Sequence, residues 1–250
     1  MKRLLGDIRR ADTDFGMISR GDRVAIGVSG GKDSLMLLRA MAVYSRFESK
    51  PFEAVAITLK TGDPFDTAPI RELCGELNIP YYVQECDLIH QLFDVRHEEN
   101  PCALCARLRR GALLRMAGEL GCRKLALGHH REDVEETLMM SVLFEARLHT
   151  FHPVTRMEDS DITVIRPMVY ASEKEIAHLA EKFKVPIVKN PCPADGHTTR
   201  QEMKELLSAL SRRYPRAREY LLTALRDDSR YGLWNREGRE DGHGGTEGDN

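Results

Sequence analysis

Three groups of residues in this chain have types and spacings suited to chemistry. The first is Ser29-Gly30-Gly31-Lys32-Asp33-Ser34, which comes after the apolar run Arg23–Val28 and leads into a helical pattern. Two adjacent glycines permit positive φ and a close backbone approach to a ligand. Consecutive N–H groups at a helix N-terminus form an anion nest that the helix dipole reinforces. Ser29 and Ser34 add hydroxyl donors, and Lys32 adds a point charge. Asp33 on its own would repel a phosphate, so its presence points to a bridging Mg²⁺. The loop is not a Walker A motif, which needs Ser or Thr after the Lys, and it does not match Gly-x-Gly-x-x-Gly. A Gly-rich turn without a ligand is the plain alternative.

The second group is Cys102-Ala103-Leu104-Cys105 at the start of a helical stretch, with Cys192 far downstream in Asn190-Pro191-Cys192-Pro193. A helix N-terminus lowers a thiol pKa and favours thiolate ligands. The pair's spacing is shared by zinc, redox and iron–sulfur sites. A structural zinc needs four ligands, and His97 or His197 stands available as the fourth. Three thiolates suit a [4Fe–4S] cluster with one iron left open, on which a hydrosulfide could ride. Arg109, one turn beyond Cys105, is expected to face the same pocket and to meet phosphate or substrate charge. Cys74, Cys86 and Cys122 read as small buried hydrophobes. The third group is Leu127-Gly128-His129-His130-Arg131-Glu132-Asp133-Val134-Glu135-Glu136-Thr137. Read alone, it is a polar helix cap with Asp133 and Glu136 on a solvated face.

These groups need a scaffold, and the rest of the pattern supplies one. Strands are predicted over Arg23–Val28, Ala54–Leu59, Tyr81–Gln84, Lys124–Gly128, Ile162–Ile165 and Pro186–Val188. Helices are predicted over Ser34–Tyr44, Thr67–Leu77, Leu104–Leu120, Glu132–Phe144 and Ser172–Phe183. Such alternation argues for an α/β doubly wound parallel sheet, with ligands beyond the carboxyl ends of the strands. That rule points to the segments just beyond Val28, Leu59 and Leu127. From His197 to Arg226 the pattern is helical, with seven basic residues against three acidic ones, and Pro215 should divide it in two.

The formal net charge of −2 hides an asymmetry, because Asp227 to Asn250 holds seven acids against three arginines and the remainder is net positive. That Gly-rich tail reads as largely disordered. The chain therefore divides into 1–196, carrying both the phosphate loop and the thiolates, a basic helical segment 197–226, and the tail 227–250. No apolar run reaches membrane-spanning length, and the first residues lack the apolar stretch of a secretory signal, so a soluble, cytoplasmic protein is expected.

Ser29 to Ser34 resembles the pyrophosphate-binding loop of the ATP pyrophosphatases, which split ATP into AMP and pyrophosphate while adenylating a carbonyl oxygen. Leu127 to Thr137 resembles a second block of the branch that modifies tRNA. The resemblance implies that Gly128 and His129 lie near the nucleotide and that Asp133 assists metal binding or catalysis. With Cys102, Cys105 and Cys192 included, the chain is similar to the TtcA family, the tRNA 2-thiocytidine synthetases. The likeness runs from about Lys2 to Cys192 and includes Asp14-Phe15, Met17-Ile18, Gly21-Asp22-Arg23 and Cys105 to Gly111. It implies a PP-loop fold, ATP, Mg²⁺ and a [4Fe–4S] cluster on the three cysteines. The implied reaction is ATP-dependent conversion of cytidine 32 of tRNA to 2-thiocytidine, with sulfur from a cysteine desulfurase or from sulfide. A homodimer stays open. The chain departs from the family pattern in three places. A single cysteine, Cys192, stands where two are usual, Lys60 stands at the end of strand two where an acid is frequent, and Glu145-Ala146-Arg147 replaces a glycine pair.

Arg107, Arg109, Arg110 and Arg115, with the basic residues Arg200, Lys204, Arg212, Arg213, Arg216, Arg218 and Arg226, would suit RNA phosphates. Three other readings share the phosphate loop. They are thiolation of uridine or of a non-tRNA substrate, a lysine-adding tRNA ligase, which has no use for the cysteines, and a non-catalytic nucleotide or iron–sulfur sensor.

Overall fold

A computed structural model describes residues 1–47, 50–61, 65–86, 101–188 and 199–226, the side chains of 101–103 excepted. Six strands, β1 (Arg23–Gly27), β2 (Glu53–Lys60), β3 (Tyr81–Glu85), β4 (Lys124–Ala126), β5 (Val154–Arg156) and β6 (Thr163–Ile165), form one sheet in the order β3-β2-β1-β4-β6-β5. All neighbours pair in parallel except β5, which runs antiparallel on the edge. The chain winds outward from β1 to β3 and then returns to place β4 on the other side of β1. The switch point therefore falls between β1 and β4, where such sheets bind ligands.

β1 and the centre of β2 are buried on both faces. Their near-continuous apolar runs result from that double covering. Val24 and Ile26 pack on one face with Leu35, Leu38 and Ile8, whereas Ala25, Val55 and Ile57 pack on the other with Leu114 and Ala117. The first face is covered by α1 (Lys2–Phe15), α2 (Lys32–Tyr44), α3 (Ala68–Leu77) and α6 (Glu173–Lys182), and the second by α4 (Pro101–Glu119). Helix α5 (Arg131–Glu145) comes after β4, and α7 (Thr199–Arg213) and α8 (Ala217–Leu225) pack against α5. Pro215 lies in the turn between α7 and α8, as its missing N–H demands.

Three local features differ from the sequence reading. Pro186-Ile187-Val188 is not a strand. Pro186 has no N–H to give, Ile187 is 59% exposed, and Val188 N–H donates to Gly30 O at 3.0 Å. β5 was hidden by its length, three residues after Pro153, and α1 had no assigned element although Leu4, Ile8 and Ala11 are wholly buried on one face. No helix among the described residues is long and apolar enough to cross a membrane.

Candidate active site

The phosphate loop sits at the switch point. Gly30 has φ +84°, and an added Cβ would fall 3.1 Å from Val188 Cβ and 3.2 Å from Phe65 Cζ, so this position excludes other residues twice over. Gly31 differs from expectation. Its φ is −74° and it serves as the N-cap of α2, leaving the left-handed turn to Gly30 alone. Ser34 Oγ donates to Gly31 O at 2.9 Å and accepts from Ser29 N–H at 3.1 Å, with Ser29 Oγ 3.2 Å away. Ser34 therefore closes the loop on itself and sets its shape.

Lys32 and Asp33 carry the charge. Lys32 Nζ lies 3.1 Å from Asp33 Oδ2 and 3.0 Å from Glu173 Oε1, and Lys204 reaches the same Glu173 oxygen at 2.7 Å. Burial works against the Lys32 cation, but Asp33 and Glu173 outweigh it and raise its pKa. Asp33 Oδ1 is buried with no hydrogen-bond partner among the described residues, and His130 Nε2 lies 3.8 Å from it. A buried carboxylate oxygen left without a partner is costly. It fits the oxygen-donor preference of Mg²⁺.

The second block meets the loop at Gly128. A Cβ there would lie 3.2 Å from both Asp33 C and Ser34 N, so the end of β4 packs directly on the backbone of α2. His129 packs on Phe151 with the rings tilted by 40° and their centroids 4.9 Å apart, and its Nδ1 is buried without a hydrogen-bond partner among the described residues. Burial pushes its pKa down to about 4 against the pull of Asp133, so the ring is neutral at pH 7. Asp133 Oδ2 accepts His130 N–H at 2.9 Å, which caps α5, and Oδ1 lies 3.2 Å from Arg200 Nη1.

The solvated-face alternative for this block fails. Glu132, Glu135 and Glu136 are 8%, 0% and 3% exposed: α7 and α8 cover α5 and bring Arg200 to Glu136 and Arg218 to Glu135, while Glu132 accepts the Glu173 N–H at the start of α6. Burial pushes Glu132 up, yet His130, the Glu173 N–H and Arg131 outweigh it and leave its pKa at about 2.

A cleft of about 390 Å³ opens beside the loop, lined by Ser29, Asp33, Ser34, Gly128, His129 and Asp133 together with Ala106, Arg109, Arg110 and Leu113 of α4. The helical spacing of these α4 residues turns one face toward the phosphate loop. Arg109 thus lines the same cavity as Asp33 and Asp133. Cys105 is partly buried in α4, one turn before Arg109. The backbone of Cys102 belongs to α4, while its side chain, Cys192, His97, His197 and the tail lie outside the described residues. Among the described residues no three His, Cys, Asp or Glu side chains converge as a metal site. Cys74 and Cys122 are buried as expected, burial holding the Cys74 thiol at about 12, while Cys86 is partly exposed.

Sequence reasoning missed His130, Glu173 and Arg200 as members of this site. Glu173 and Arg200 arrive from other elements, and only the doublet His129-His130 was visible locally. His130 is 5% exposed, with Nδ1 3.3 Å from Glu132 and 3.5 Å from Asp133. Burial opposes its charge, but Glu132, Asp133 and Asp33 prevail and raise its pKa.

Known proteins share this architecture. Residues 7–210 match the PP-loop domain family. The chain is 37% identical over 228 residues to the tRNA-cytidine(32) 2-sulfurtransferase of Geobacter sulfurreducens, covering 90% of this chain and 89% of that protein. It is 38% identical over 228 residues to the Pelobacter propionicus protein of the same name, covering 90% and 85%. Among solved structures, the U34-tRNA thiolase NcsA from Methanococcus maripaludis with its [4Fe-4S] cluster superposes with a TM-score of 0.73 at 26% identity, covering 89% of this chain and 76% of that one. With a PP-loop domain over most of its length and curated relatives at this identity across nearly the whole sequence, the chain belongs to the tRNA-cytidine(32) 2-sulfurtransferase (TtcA) family of PP-loop proteins.

Proposed function

We propose that this protein is an ATP-dependent tRNA sulfurtransferase that replaces the C2 oxygen of a cytidine, at position 32 as in its relatives' name, with sulfur. The observation that carries the reading is the shared cleft. The phosphate-loop residues Ser29, Asp33 and Ser34 and the arginines of the cysteine-bearing helix, Arg109 and Arg110, all line one cavity.

The backbone N–H groups at the start of α2 would hold the leaving pyrophosphate, with the helix dipole behind them. Asp33 would anchor Mg²⁺, and Arg109 and Arg110 would face the charge that develops on the phosphates. In the first step the cytosine C2 oxygen attacks the α-phosphorus of ATP and pyrophosphate leaves. In the second a sulfur nucleophile attacks C2 and AMP leaves with the original oxygen. His129, neutral and packed on Phe151, lines the cleft without adding charge beside the base. Cys102, Cys105 and Cys192 are the residues that would hold a [4Fe–4S] cluster. Bound there, such a cluster would supply the sulfur nucleophile.

Anaerobically prepared full-length protein tests this reading. It should contain iron and sulfide and should form AMP and pyrophosphate from ATP only when tRNA is added. Cys192→Ala should lose the brown chromophore and thiolation together while retaining part of the adenylation. Zinc content unchanged by Cys192→Ala would favour a structural metal, and AMP formation that requires lysine would favour the amidating ligase. Nucleotide binding without turnover would favour the sensor.

A further inference from the structure

The basic residues of the C-terminal segment divide into two sets. Arg200 is taken by Asp133, Lys204 by Glu173, Arg218 by Glu135 and Arg226 by Asp14. These four hold α7 and α8 against the domain, together with the buried Met203 and Leu207. The other set lies at the elbow between the two helices. Arg212 and Arg213 are exposed and have no carboxylate partner among the described residues. Arg216 lies over the Tyr220 ring at 4.7 Å and pairs with Glu219. Tyr214 and Tyr220 are 60% and 56% exposed.

One exposed tyrosine is ordinary. Two of them, interleaved with three exposed arginines over residues 212–220, match a polyanion that also presents flat π-faces. Unpaired RNA has both features, phosphates for the arginines and bases for the rings. An acidic peptide would satisfy only the first. The elbow is also placed for a substrate that enters the cleft. Arg200, in the first turn of α7, touches Asp133 at the cleft, and Tyr214 lies about 20 Å further along at about 1.5 Å per residue. A stem-loop can rest on one while a nucleotide of its loop reaches the other.

We propose that the α7–α8 elbow is the platform that grips single-stranded tRNA outside the active cleft, with Arg212 and Arg213 on phosphates and Tyr214 and Tyr220 stacked on unpaired bases. This rests on the tRNA-thiolating reading above. It narrows the expected basic surface to the arginines that the fold leaves outward.

The test is binding of an unmodified tRNA transcript to the full-length protein across a salt series. Removing two phosphate contacts with the double substitution Arg212→Ala, Arg213→Ala should weaken binding at least tenfold. It should also make the slope of log K against log salt shallower by roughly 1.4–1.8. Tyr214→Ala should weaken binding about 5- to 150-fold with the slope unchanged, and Tyr214→Phe should restore it. Thermal unfolding of each variant should match the wild type, since none of these side chains is buried. Variants that bind as tightly as wild type, with the same slope, overturn the elbow while leaving the enzyme reading intact, provided the wild type thiolates the RNA. A wild-type protein that neither binds nor thiolates tRNA overturns both.

Discussion

The Cβ that Gly128 lacks would lie 3.2 Å from the backbone nitrogen of Ser34, so the end of β4 and the first turn of α2 meet backbone to backbone. No flexible side chain is available there to give way. Gly128→Ala should therefore move the phosphate loop, costing about 1–3 kcal/mol of stability. It should also lower pyrophosphate formation at least tenfold. Urea unfolding and pyrophosphate release measure the two effects, and wild-type values for both would show that the contact yields freely.

Asp33→Ala should abolish AMP and pyrophosphate formation while leaving the iron content unchanged. Stability should change by no more than about 1 kcal/mol, because the pair with Lys32 is partly exposed and the other carboxylate oxygen makes no hydrogen bond among the described residues. Undiminished pyrophosphate release would remove Asp33 from the metal site.

Asp133 does two things at once. Its Oδ2 caps α5 and its Oδ1 meets Arg200. Asp133→Asn keeps an oxygen for the cap and loses the charge, so the protein should fold normally with activity down by at least a hundredfold. Asp133→Ala should lose about 0.5–2 kcal/mol more through the missing cap. Full turnover by the Asn variant would reduce Asp133 to a helix cap.

His129 gives a pH signature. Its native pKa of about 4 lies below the ordinary histidine value of 6.5, so the unfolded chain binds the proton more readily between those values. Stability from this group is complete above about pH 6.5 and is lost as the pH falls toward 4. Relative to His129→Gln, the wild type should be destabilised by about 2 kcal/mol more at pH 5 than at pH 7.5. Urea unfolding at the two pH values decides it, and an equal gap at both would mean that the ring is solvated in the native state.

The phosphate loop was readable because its residue types are contiguous and sit between a buried strand and a helix. The switch point was readable from the alternation of strands and helices. Partners that arrive through tertiary packing were not. Lys32 meets Glu173 from 141 residues away, and Arg200 meets Asp133 across 67. Those pairings decide whether Glu136 faces water or α7, which no local pattern reports. Pro186-Ile187-Val188 misled for a related reason. Its β-prone residues serve one hydrogen bond to Gly30 and a contact over the loop, and there is no ladder.

The measurement that bears most directly on the account is nucleoside analysis of a tRNA transcript after anaerobic incubation with the iron–sulfur-reconstituted protein, ATP, Mg²⁺ and sulfide. The expected product is 2-thiocytidine, formed with one AMP and one pyrophosphate for each nucleoside converted. ATP cleaved to AMP while the RNA remains free of sulfur would contradict it.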